Sequence, residues 1–320
     1  MTRTRILVLG CGGFLGSRVT ARLQRTPGAR ILRGGRGAGD GAKGGTRGGP
    51  KGGAGLDLVA DLATVPVDVL ARRLAALAPD AVVDCAGVVA GRASALCATN
   101  ARGPAALCEA MALATPSARL VHLGSAAEYG PAEPGAALAE SAPARPEGVY
   151  GAAKLAGTLA VTGSGLDAVV LRVFNPVGAG SPTSGLPGRL AAAFREAPRE
   201  GVVRTGSLAA YRDFVAADDV ADAVALAVAA PGSVPPVVNI GSGEATQVRT
   251  LAAELASVSG FAGRLEESGR GSERSAGVSW HQADITLAAY ALGWQPTRTL
   301  RDALTALWAA VPGEPVRISP

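Results

Sequence analysis

The chain has 320 residues, 48% of them hydrophobic, and a formal net charge of +5. That is enough apolar material to bury a substantial core as one large domain or two closely joined ones. No apolar run approaches the roughly 20 residues of a membrane span, and the N-terminus leads straight into a strand, so the expectation is a cytoplasmic protein with no membrane contact. Much of the basic excess lies in the glycine tract of residues 33–55, with Arg36, Lys43, Arg47 and Lys51 but no aromatic residue on which a base could stack. It reads as a flexible insert, and nucleic acid is not expected as a partner.

In chain order, Arg5 to Leu9 is a short apolar run of strand type and Ser17 to Leu23 a helical stretch, with Gly10, Gly13 and Gly16 between them. A strand, a glycine-spaced turn and a helix are the context a dinucleotide fingerprint requires. Gly10 allows the sharp turn, Gly13 lets the backbone approach a pyrophosphate, and Gly16 lets the helix pack closely on the strand. Ala29 to Leu32 is the predicted second strand, Asp57 to Ala60 a short third, Val67 to Leu77 a helix and Ala81 to Ala86 the fourth strand. A long helix is predicted from about Ala93 to Ala114, a fifth strand from Arg119 to Gly124, then a helix carrying Tyr150 and Lys154, and a sixth strand from Ala168 to Phe174. Strands separated by helical crossovers imply an α/β fold, a doubly wound parallel Rossmann sheet. Pro176 to Gly185 is irregular, and helices near Leu190, Val220, Leu251 and Leu300 fit a smaller C-terminal α/β substrate lobe. The expected division is residues 1–175 for the dinucleotide-binding domain and 176–320 for the lobe, with about 213–241 returning to the main sheet.

The four cysteines, Cys11, Cys85, Cys97 and Cys108, show no paired metal-ligand spacing and read as reduced thiols, so no metal site is expected. Ser125, then Tyr150 with Lys154 four residues on, is the group that can carry chemistry. A phenol ordinarily titrates near pH 10, and an ammonium one helical turn away favours the phenolate, as does a positive nicotinamide ring. Such a pair suits acid or base work near neutrality.

From end to end the chain resembles the extended short-chain dehydrogenase/reductases, the nucleotide-sugar epimerase, dehydratase and reductase family. Residues 10–16 (GCGGFLG) resemble its cofactor turn, 121–130 (VHLGSAAEYG) its serine strand, 171–178 (LRVFNPVG) and 211–215 (YRDFV) two substrate-side motifs, and 239–243 (NIGSG) and 292–296 (LGWQP) its late motifs. The stretch 206–214 is most similar to the GDP-4-keto-6-deoxy-mannose reductase and GDP-mannose dehydratase branch. The resemblance implies a homodimer with Ser125, Tyr150 and Lys154 as catalytic residues. It implies cofactor contacts at Gly10, Gly13, Phe14, Leu15 and Gly16, at Asp61 and Leu62 beside the adenine, at Cys85, Ala86 and Gly87 on the nicotinamide ribose side, and at Val177. A nucleotide-diphosphate sugar would be held by Ser125, Asn175, Arg212 and Arg274, the last standing ten residues before Asp284. Two arginines suit a diphosphate because each guanidinium can hold a pair of oxygens; the bland alternative is that Arg212 only pairs with Asp213.

Cofactor choice follows from the end of the second strand, where an acid usually holds the ribose hydroxyls of NAD and an arginine accommodates the 2′-phosphate of NADP. Arg33 and Arg36 stand there, and the first acid after them is Asp40, so NADP(H) is expected over NAD(H). Sugar dehydratases that resemble this chain carry a glutamate, and C3/C5 epimerases a cysteine, two residues before the tyrosine of the Tyr-Gly pair. Ala127 stands there, after Ala126, and an alanine moves no proton. Glu128 is expected to face the other way. The expected activity is an NADPH-dependent ketoreductase acting on a nucleotide-linked 4-keto sugar, with an NAD-dependent C4 epimerase as the alternative. A non-catalytic dinucleotide sensor of the same fold would have no need of the Ser-Tyr-Lys set.

Overall fold

A computed structural model describes residues 3–37, 55–268 and 278–312. Asp40, Lys43, Arg47, Lys51 and Arg274 fall outside the described residues. The first half alternates apart from β2 and β3, which follow one another among the described residues: β1 (Thr4–Leu9), α1 (Phe14–Leu23), β2 (Ala29–Gly35), β3 (Leu58–Val59), α2 (Val67–Leu77) and β4 (Ala81–Asp84). Next come α3 (Ala93–Cys97), a π-helical segment (Ala98–Arg102), α4 (Gly103–Ala114), β5 (Arg119–Ser125), a 3-10 turn (Ala126–Glu128), α5 (Val149–Thr162) and β6 (Ala168–Val173). The second half comprises β7 (Asn175–Val177), α6 (Leu186–Glu196), β8 (Val202–Thr205), β9 (Tyr211–Ala216), α7 (Ala217–Ala229), β10 (Val237–Ile240), β11 (Ala245–Gln247), α8 (Val248–Ser259), β12 (Arg264–Glu267), α9 (Thr286–Leu292) and α10 (Leu300–Ala310).

The main sheet is seven-stranded in the order β10-β6-β5-β4-β1-β2-β3, and every pairing in it is parallel. This is the doubly wound Rossmann-like fold expected from the alternation of elements. Its strands are apolar runs because helices cover both faces. In β1 the residues divide by parity, as strand geometry dictates: Ile6 and Val8 pack with Val19 of α1 and Val220 and Val224 of α7, while Leu7 and Leu9 pack with Leu70 and Leu74 of α2 and Leu107 and Met111 of α4. The order reverses between β1 and β4, so a crevice opens at the C-terminal ends of these strands, the place where such sheets bind ligands.

A third apolar cluster joins Val177, Leu190 and Phe194 to Leu251, Leu255 and Leu304. It lies among α6, α8 and α10, beside two small sheets, β11-β9-β7 and β12-β8. Three departures from the sequence expectation go beyond a shift of a few residues at an element's end or bear on the cofactor rim. The second strand runs three residues further, through Gly35, where Gly34 and Gly35 pair with Leu58 and Val59. The helix expected over 93–114 is broken by the π-helical segment. Of the stretch around 213–241, only Val237–Ile240 enters the main sheet, beside β6, while β9 pairs with β7 and β11.

Candidate active site

The glycine turn sits at the crevice. Gly10 has φ +70°, and a Cβ there would lie 2.9 Å from the Cys85 carbonyl oxygen. A Cβ on Gly16 would lie 2.0 Å from the Gly10 carbonyl oxygen, so both positions require glycine and the turn hugs β4. Gly13 is the N-cap of α1 and brings no capping side chain. The first amides of α1, at Phe14 and Leu15, are thereby left for an anion. The cradle fits a dinucleotide pyrophosphate.

Cys85, Ala86 and Gly87 continue from β4 along the same rim. Asn100, fully buried in the π-helical segment, fixes the next residue: its Oδ1 accepts from the Val88 N–H (3.1 Å) and its Nδ2 donates to the Val88 carbonyl (2.8 Å). Such segments recur at functional sites. Leu62 is buried, and Asp61 Oδ1 accepts from the Ala63 N–H at 3.0 Å. Arg33 lies in the C-terminal half of β2 with its amide held by Asp57 and its Nε buried without a partner among the described residues. Arg36 follows, exposed. Burial pushes the Cys85 thiol up, and that of Cys108 up to about 11, so both stay protonated. Cys11 is buried as well, but Cys97 is exposed.

Ser125 ends β5, its Oγ accepting from the Ala127 N–H and its own N–H donating to Glu128 Oε1. Tyr150 is half-buried in the first turn of α5. A Cβ on Gly151 would lie 2.3 Å from the Ala127 carbonyl oxygen, so α5 begins in direct contact with the turn that follows Ser125. This tight approach sets the helix that carries the tyrosine against the turn that follows the serine. Lys154, one turn further, is 4% exposed and donates to the Leu123 carbonyl.

Glu128 is fully buried and locked away from this site, bonded to Arg172 (2.8 Å), to the Thr158 hydroxyl and to the Ser125 amide. The Arg172 guanidinium in turn lies over the Tyr129 ring, whose hydroxyl donates to Asn239. Ala126 and Ala127 therefore leave no second proton-moving side chain on this turn.

On the lobe side, Arg212 is 8% exposed and donates to two carbonyls, Tyr211 O and Val278 O, each at 2.7 Å. Among the described residues no carboxylate pairs with it. The alternative of an ion pair with Asp213 is not formed: the Asp213 carboxylate accepts instead from the amides of Ser242, Gly243 and Ala283 and from the Ser242 hydroxyl. Burial pulls the Arg212 guanidinium down to about 10, which leaves it cationic at neutral pH. A buried cation with only neutral carbonyl partners is unfavourable alone and attracts an anion. Asn175 donates to the Asp213 carbonyl at 2.8 Å, and Val177 is buried in β7. Among the described residues no group of three or more His, Cys, Asp or Glu side chains could hold a metal ion, and no helix is long and apolar enough to cross a membrane.

The structure also brings together residues that sequence spacing did not single out. His122 Nδ1 lies 2.9 Å from Asp84 Oδ2, and its Nε2 lies 3.4 Å from Lys154 Nζ. Asn100 is the third such residue. A buried polar residue inside an apolar strand or helix was the available signal.

Residues 6–241 match the model of the NAD dependent epimerase/dehydratase family. A dTDP-6-deoxy-L-talose 4-dehydrogenase (NAD(P)(+)) from Kitasatospora kifunensis is 38% identical over 98% of this chain and 97% of its own length. A UDP-glucose 4-epimerase from Streptomyces lividans is 33% identical over 62% of this chain and 64% of its own. Among solved structures, RMD from Pseudomonas aeruginosa complexed with NADPH shares the fold with a TM-score of 0.78 at 21% identity, covering 97% of both chains. UDP-glucose 4-epimerase from Thermotoga maritima, with UDP-glucose bound, does so with a TM-score of 0.81 at 22% identity, over 96% of this chain and 98% of that one.

Proposed function

The chain belongs to the NAD dependent epimerase/dehydratase family, whose members here are NAD(P)-dependent nucleotide-sugar enzymes, and from that premise we propose that it interconverts a nucleotide-linked 4-keto sugar and its 4-hydroxy form, working as an NADPH-dependent 4-ketoreductase. The observation that carries the reading is the proton inventory around Ser125. Tyr150 and Lys154 stand on the helix that touches its turn, Ala126 and Ala127 offer no base, and Glu128 is spoken for. With no second base, elimination and C3/C5 epimerisation lack their usual means, and hydride transfer at one carbon remains.

The Gly10–Gly16 turn would hold the dinucleotide, which when bound would supply hydride for C4. As the C=O π electrons move to oxygen, Tyr150 protonates the developing alkoxide, and the Ser125 hydroxyl hydrogen-bonds that oxygen. Lys154 would hold the nicotinamide ribose. Arg212, with Asn175 and Arg274, takes the diphosphate, since the buried guanidinium has no carboxylate among the described residues. We assign the nucleoside to the lobe of residues 176–320, which contains a cavity of about 290 Å³ lined by Arg189, Arg204, Thr205 and Ser268. The 38% identical relative acts at C4 of a dTDP sugar, which makes dTDP-linked 4-keto-6-deoxysugars the first substrates to try and GDP-linked ones the second.

The preference for NADPH rests on Arg33 and Arg36 at the end of β2. Replacing both with alanine should weaken NADPH far more than NADH in fluorescence titrations; a wild-type preference for NADH sinks that assignment. The C4 epimerase reading draws support from the relatives that carry that activity. Incubating the protein with NADPH and a panel of nucleotide 4-keto sugars separates the two. A reductase consumes NADPH stoichiometrically and gives a product two mass units heavier. An epimerase is told apart by a parallel incubation of the 4-hydroxy nucleotide sugar with NAD+, which it converts to the C4 isomer of equal mass with no net change in the cofactor.

A further inference from the structure

His122 is fully buried in the middle of β5 and has no place in the chemistry just described. It is faced by Asp84 of β4, by Lys154 of α5 and, further off, by Glu128 of the turn that follows. Asp84 Oδ1 is already occupied by the Ala86 N–H at 3.0 Å, and its Oδ2 meets His122 Nδ1 at 2.9 Å. A carboxylate only accepts, so the proton between them belongs to Nδ1. Burial and the Lys154 charge both hold the imidazole below its ordinary titration range, so the ring is neutral and Nε2 carries a lone pair. That lone pair points at Lys154 Nζ, 3.4 Å away, and the ammonium also donates to the Leu123 carbonyl. Two of its three N–H bonds are thereby aimed, and one is left for a ligand.

We propose that His122 is a positioning residue for Lys154: Asp84 fixes the imidazole as the Nδ1–H tautomer, and Nε2 accepts one ammonium N–H, which orients the remaining one toward the cofactor ribose. Only its bearing on cofactor and turnover rests on the proposed function; the tautomer and the hydrogen bond stand on the fold.

The chain has two histidines, His122 and His281, which makes the test direct. His281 Nε2 lies 2.7 Å from the Gly130 carbonyl and must donate there, so the two rings should show opposite tautomers in a long-range proton–nitrogen correlation spectrum. Asp84→Asn keeps the acceptor for the Ala86 amide but presents an N–H to His122 Nδ1. The proton then moves to Nε2 and faces the ammonium, donor against donor, as happens when a histidine's orienting aspartate becomes asparagine. The variant should show the exchanged tautomer, and NADPH should bind about tenfold more weakly. His122→Phe, of similar volume but with no acceptor, should show a comparable loss of NADPH affinity. His122→Gln, whose side-chain oxygen falls near the Nε2 position, should recover most of it. The phenylalanine and glutamine pair carries the test if Asp84→Asn does not fold. A merely packed histidine would give the opposite order or equal losses, with affinity tracking melting temperature. An Nε2–H tautomer for His122 in the wild type, or unchanged NADPH affinity in His122→Phe, overturns the proposal. If instead no 4-keto sugar is reduced by the wild type, the proposed function fails while the spectrum and the NADPH titration still decide this one.

Discussion

At the scale of single residues, the two ends of the site make separable predictions. Tyr150→Phe keeps the ring on α5 and removes its transferable proton. Turnover should fall by about a hundredfold or more while NADPH titrates as before; near-native turnover would remove the phenol from the mechanism. Arg212→Ala should leave NADPH binding alone and raise the apparent substrate constant by about one to two orders of magnitude, the loss of a charge-assisted contact of about 1.5 to 3 kcal/mol. A free keto sugar with no diphosphate should show no such penalty, and equal losses with both substrates would make Arg212 structural. Ser125, Tyr150, Lys154 and Arg212 could be singled out as candidates in the sequence because each belongs to a run whose spacing is local. That Arg212 has no carboxylate partner among the described residues was not legible, because the neighbouring Asp213 turns to cap residues 29, 30 and 70 positions away in the chain. Nor was the bond of His122 to Asp84, which spans 38 positions and exists only once β4 and β5 pair.

At the scale of elements, the strand–turn–helix unit was the most legible part, because Gly16 is required by contacts within the unit itself and Gly10 by its own positive φ. A Cβ on Gly16 would fall 2.0 Å from the Gly10 carbonyl oxygen and 2.7 Å from its carbon, both backbone atoms of the turn, so nothing flexible can move aside. Gly16→Val should push α1 off the turn and abolish detectable NADPH binding in a fluorescence titration. It should also destabilise the fold by about 1 to 3 kcal/mol, within the range of an overpacked site; native NADPH affinity in this variant would mean that the turn does not hold the pyrophosphate. The break in the helix over 93–114 was opaque for a contrasting reason. Apolar periodicity runs through it, and the π-helical segment answers a tertiary demand: Asn100 must reach both polar groups of Val88, and Gly157 of α5 comes so close that its Cβ would lie 2.3 Å from the Asn100 carbonyl oxygen. Periodicity reports which face is buried and carries no record of a neighbouring backbone.

At the scale of the whole molecule, the two histidines couple the main sheet and the lobe to pH in the same sense. His122 sits between β4 and α5, while His281 ties the segment before Asp284 to the Gly130 carbonyl and faces Arg212. Burial is the largest cause in each, and both imidazoles are pulled below 6.5 in the native state. Below that value the unfolded chain takes up protons that the native chain declines, so the unfolded state binds more protons and stability falls as pH falls. The full contribution is present above about pH 6.5, and the loss below it approaches about 1.4 kcal/mol per pH unit for each histidine. Asp213, whose carboxyl burial pushes upward, works in the opposite sense and offsets part of that slope once its own range is reached. Urea unfolding followed from about pH 7.5 to about pH 5.5 should therefore show a falling midpoint with little change in its denaturant dependence. His122→Gln should remove that histidine's share of the slope whatever it does to the absolute stability, because an amide does not titrate. A flat profile in the wild type, or an unchanged slope in the variant, would mean that the native state accepts the His122 proton, and the buried chain from Asp84 to Lys154 could not then hold a neutral ring.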